Sequence, residues 1–145
     1  MADLLETLLA NAGRYAGSQT DPSEGHPSGS TGFVEVTPLP GGHGVTFDYE
    51  VWNVEHQRVH QERTMLLKTM GGLVLAVSHT HGDAGSVLRE SEPGYFTIPE
   101  GEDAPFPMAI RLEVPEAGPL VYSWSYGWGD QPMVVRDVGD LRLIS

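Results

Sequence analysis

The chain has 145 residues, 39% of them hydrophobic, with 20 acidic against 8 basic side chains, a formal net charge of −12 and no cysteine. One core serves a chain of this length, so residues 1–145 read as a single domain. The acidic excess repels phosphate backbones and anionic lipid heads, which argues against nucleic acid and membrane surfaces as partners, and the missing cysteines exclude disulfides, zinc fingers and thiol nucleophiles.

The first element is a helix. Asp3-Leu-Leu-Glu6 fits a capping box, Leu4, Leu5, Leu8 and Leu9 form an apolar stripe, and Gly13 supplies a left-handed stop. A helix this short needs a surface for its leucines, either an open barrel end or a partner chain. The same segment lacks a basic n-region and a long apolar run, so the expected location is the cytoplasm.

Short alternating or β-branched runs follow, punctuated by glycine and proline. Strands are expected at 13–19, 31–37, 44–54, 58–69, 72–81, 84–90, 94–98, 106–114, 119–127 and 132–144. Tight turns at Pro40-Gly-Gly42, Gly71-Gly72 and Gly82-Asp83 make sequential strands pair. Ten strands in a meander leave aggregation-prone edges unless they close, so the expected fold is all-β, a ten-stranded antiparallel meander β-barrel with one short N-terminal helix. Residues 20–30, TDPSEGHPSGS, are read as a long irregular loop suited to a lid.

Period-two patterns assign the faces. Val45, Phe47, Tyr49 and Val51 share one face, as do Met108, Ile110, Leu112 and Val114, which oppose Arg111 and Glu113. Leu120, Tyr122, Trp124, Tyr126 and Trp128 share another. Such faces line a cavity or fill a plain core. Candidate ligand-binding residues are Tyr15, Tyr49, Met108, Arg111, Tyr122, Trp124 and Arg142, with Arg136 a further cation for an anionic head. Arg142 points into the lumen only if Leu141 and Leu143 face outward.

The densest polar group is His60, Glu62, His79 and His81. If Gly71-Gly72 is a two-residue turn, His81 opposes Glu62 and all four share a face. Three imidazoles and a carboxylate suit a divalent metal or an acid/base cluster, while a solvated surface is the alternative. His56 and His60 lie in a strand-and-turn run rather than on a helix. Gly41-Gly-His-Gly44 precedes a strand, which makes it a turn and not a phosphate cradle. Neither a thiol nucleophile nor a Gly-x-Ser-x-Gly elbow is present.

Helix, then Gly13-Arg-Tyr15-Ala-Gly17, then a ten-strand meander resembles the calycin group, and within it the fatty-acid-binding-protein-like branch that includes nitrobindins. Those families open their first strand with Gly-x-Trp-x-Gly; Tyr15 stands here in place of the Trp. Val59-His60-Gln61-Glu62, followed by a strand and the Gly82/Gly85 turn, is similar to the His-x-Glu strand of nitrobindin-like proteins. The resemblance implies a lipocalin-like barrel holding fatty acids, other apolar molecules or haem. Haem ligation would fall to a late-chain His, and none follows His81; the Arg-x-Tyr of fatty-acid carriers reads Arg142-Leu143-Ile144.

The leading expectation is therefore binding of a small apolar or amphipathic molecule inside the barrel, without an obligate cofactor. The alternatives are a haem-binding nitrobindin-like protein, a lipocalin-fold enzyme using the His/Glu cluster, or a module whose barrel is filled by its own side chains. Strand edges and the leucine helix leave room for a homodimer.

Overall fold

The computed structural model describes residues 3–21, 26–80, 84–102, 106–114, 120–126 and 133–144. Its architecture is a closed barrel of ten antiparallel strands in meander order, with β1 and β10 pairing to close it. The helix α1 spans Leu4–Ala10. The strands are β1 (Gly13–Asp21), β2 (His26–Pro38), β3 (Gly44–Trp52), β4 (Arg58–Thr69), β5 (Gly72–His79), β6 (Ser86–Glu92), β7 (Tyr95–Thr97), β8 (Met108–Glu113), β9 (Leu120–Tyr126) and β10 (Val134–Leu143). The expected all-β meander is thus the observed fold.

Asp3 caps α1, its carboxylate accepting the Glu6 N–H at 2.7 Å. The helix ends at Asn11 rather than at Gly13, because the Asn11 N–H reaches back to the Thr7 and Leu8 carbonyls. Gly13 instead opens β1. Leu5 and Leu8 are buried in the barrel core and Leu4 and Leu9 pack against it, so the helix plugs one barrel end. That resolves its leucine stripe without a partner chain. Closure also gives every strand a neighbour on both sides, which removes the strand edges expected to favour a homodimer.

Two expectations about turns change. Thr69 pairs with Gly72, so the β4–β5 turn is Met70-Gly71, one residue earlier than Gly71-Gly72. The Thr69 hydroxyl fixes it there, donating to the Gly72 carbonyl at 2.7 Å and accepting the Gly71 N–H at 3.1 Å. The 20–30 segment is not a long loop. β1 runs to Asp21 and β2 starts at His26, with Thr20 opposite Pro27 and Asp21 opposite His26, while 22–25 lie outside the described residues. Backbone pairing holds this hairpin without an apolar pattern, which is why its composition read as a loop.

The plugged end holds an apolar core that includes Val36, Val45, Phe47, Leu66, Leu75 and Leu88. The opposite end receives the starts of β2, β4, β6, β8 and β10 and the ends of the strands before them. None of the described helices is long and apolar enough to cross a membrane.

Candidate functional site

Midway along the lumen the packing changes from apolar to polar. Glu62 on β4 faces inward and its side chain is fully buried. A buried carboxylate is costly unless its lone pairs are taken, and here neighbours from two sides of the barrel take them. Oε2 accepts from the Tyr122 hydroxyl and from Thr64 Oγ1 at 2.6 Å. Oε1 accepts from Trp124 Nε1 at 3.0 Å and lies 3.2 Å from His60 Nε2. Tyr122 and Trp124 sit two residues apart on β9 and Thr64 two residues from Glu62 on β4, so period two aims all of them inward.

Burial and the adjacent Glu62 carboxylate hold the Tyr122 hydroxyl well above its ordinary value of 10.0. Burial also raises Tyr15, whose hydroxyl donates to the Asn11 carbonyl at the plugged end. The Tyr49 ring lies 5.0 Å from that of Tyr122, and its hydroxyl donates to Gln19 Oε1 on β1. Gly32 and Gly139 make room for this pair: a Cβ on Gly32 would stand 2.7 Å from Gln19 Oε1, and one on Gly139 2.9 Å from it. A polar belt thus crosses the lumen from Gln19 through Tyr49, Tyr122 and Glu62 to Trp124.

Beyond the belt, toward the end opposite the helix, lies a cup of rings. His60 and His79 stack with centroids 6.2 Å apart; His79 meets Trp124 edge-on at 5.4 Å and Phe106 at 5.8 Å. Phe106 continues to Tyr126 at 5.9 Å. The His60 side chain keeps 13% of its surface exposed where Glu62 keeps none, so the imidazole stands between carboxylate and solvent.

The structure treats the expected site residues in three ways. It brings together Glu62, His60, His79, Tyr49, Tyr122 and Trp124, and it buries Met108 and Tyr15 on the same inward face. Glu62 stands opposite His79, not His81, because the Met70-Gly71 turn displaces the pairing by two residues. A two-residue displacement preserves the face, so the grouping survives the wrong register. His81, the side chain of Arg136, Trp128 and the Gly82-Asp83 turn lie outside what is described.

The cations are a correction. Arg111 alternates with the buried Ile110 and Leu112, lies on the outer wall and stacks over Tyr95 at 4.7 Å. Arg142 is exposed because its neighbour Leu141 is the one that fills the core. Arg14, Arg58, Arg63, Lys68 and Arg89 are exposed too. Among the described residues, then, no Lys or Arg reaches the lumen. Nor do three or more His, Cys, Asp or Glu of the described residues converge where a metal ion could sit; Glu62 spends its lone pairs on the belt.

The sequence reading missed Gln19 and Thr64, and it did not connect Glu62 to β9. The available signal was that a buried Tyr hydroxyl and Trp N–H each need a polar partner.

No protein-family model and no curated protein matches this sequence. Among solved structures it is similar to one titled the crystal structure of Rv2717c from M. tuberculosis, with 16% identity, a TM-score of 0.70, and coverage of 100% of this chain and 99% of that one. At that identity the likeness establishes the fold: this chain is a closed ten-stranded antiparallel barrel of the kind that structure also adopts.

Proposed function

We propose that the chain binds a small apolar or amphipathic organic molecule in the aromatic cup at the end of a calycin-like barrel opposite the helix. The observation that carries this reading is the buried Glu62 with its four neighbours, set directly beneath two imidazoles. A barrel that only had to be filled has no need of a buried carboxylate, and among the described residues Glu62 is the one buried acid. A polar network in mid-lumen costs desolvation and is worth keeping where it orients groups for something else. The belt makes a rigid floor, and Trp124, Phe106, Tyr126 and the imidazoles make walls with apolar faces and polar edges.

Ligands that fit should bind near the micromolar range, about −8 kcal/mol. The test is titration of apolar dyes and fatty acids into a Trp52→Phe, Trp128→Phe background, in which Trp124 is the remaining indole. Saturable change in Trp124 emission together with a rise in melting temperature is the expected result. Emission and melting temperature unmoved by every probe would count against a binding role.

A further inference from the structure

Resting on that reading, we infer that the ligand is an organic cation: an amine or quaternary ammonium carried on an apolar or aromatic body. The charge inventory of the lumen points there. Seven of the eight basic side chains are described, and all seven lie on the outer wall or in solvent. Among the described residues one buried carboxylate, Glu62, sits beneath the cup, and its partner Trp124 N–H can only donate. An anionic head entering the cup would meet Glu62, and among the described residues no guanidinium or ammonium stands there to offset it. A cation would leave the pair neutral.

The walls favour the same choice. Ring faces carry negative potential, and a cation within about 6 Å of a Trp, Tyr or Phe face is attracted to it. Trp124, Phe106 and Tyr126 lie within one connected set of ring contacts at the cup. His60 Nε2 lies 3.2 Å from Glu62 Oε1, so the imidazole stands at the carboxylate that faces the cup. At long range the net charge of −12 raises the local concentration of cations and lowers that of anions.

Calorimetric titration of the full chain with three matched probes tests this: phenyltrimethylammonium, its neutral isostere tert-butylbenzene, and benzoate. The expected order is cation tightest by about tenfold over the isostere, with benzoate weakest. Glu62→Gln should erase the cation's advantage while leaving the isostere's affinity in place. Independently of that variant, added salt should narrow the gap between cation and isostere in the wild-type protein. Benzoate or the isostere binding as tightly as the cation overturns the inference and leaves the binding reading standing. A Glu62→Gln protein that folds and keeps the full cation preference also overturns it. Failure of all three probes overturns both.

Discussion

Glu62 is the residue on which the lumen turns, since Tyr122, Thr64, Trp124 and His60 from two strands meet on its two oxygens. Removing one donor leaves a buried lone pair short. Tyr122→Phe should therefore cost about 1–3 kcal/mol although the ring still fits, a loss readable by denaturant unfolding. The same hydroxyl sets an alkaline limit. Its folded value is raised above the ordinary 10.0, so the unfolded chain loses that proton first as pH rises. Its contribution is fully present below about pH 10 and is lost above it. Stability of the wild type should fall through that range, and the fall should be shallower in Tyr122→Phe. His60, Glu62 and His79 were legible because residues two apart on a strand share a face. The Tyr122 and Trp124 contacts to Glu62 were not, because they join positions about sixty apart that meet only when the barrel closes.

At the scale of elements, the β4–β5 hairpin shows why register is hard to read. Gly71-Gly72 is the better turn dipeptide by composition, yet the turn sits one residue earlier, where the Thr69 hydroxyl holds it through two hydrogen bonds. The helix was legible in its stripe and its Asp3 cap, and its role as a plug follows from burial of Leu5 and Leu8. Leu8→Ala opens a cavity under that plug and should cost about 2–5 kcal/mol in equilibrium unfolding. The closing seam depends on Gly17, where a Cβ would overlap the backbone carbonyl of Asp140 on β10. Backbone cannot step aside as a flexible side chain does. Gly17→Ala should destabilise the fold by the upper end of about 1–3 kcal/mol, with a matching fall in melting temperature, or prevent closure. Gly139→Ala meets the side-chain end of Gln19 at 2.9 Å and should be milder. Equal melting temperatures for the two variants would contradict this account of the seam.

For the molecule as a whole, closure was legible because ten short strands joined by tight turns have few other ways to hide their edges. The distribution of charge was not, since a strand pattern fixes which residues alternate and leaves open which face is the inside at a given end. Leu141 and Leu143 illustrate this: one is fully buried and the other 52% exposed, on the same face of one strand, because β10 runs past the core at its end. On the proposed function the end opposite the helix, and not the outer wall or the plugged end, receives a small organic molecule. Two-dimensional NMR of labelled protein during titration with an apolar naphthalene dye tests this most directly. The expected outcome is that the Trp124 indole N–H and the ring resonances of His60 and His79 shift saturably while the amides of Leu75, Leu88 and α1 stay in place. Shifts confined to the exposed outer-wall side chains Phe33 and Val87, with the Trp124 and imidazole signals unmoved, would contradict it.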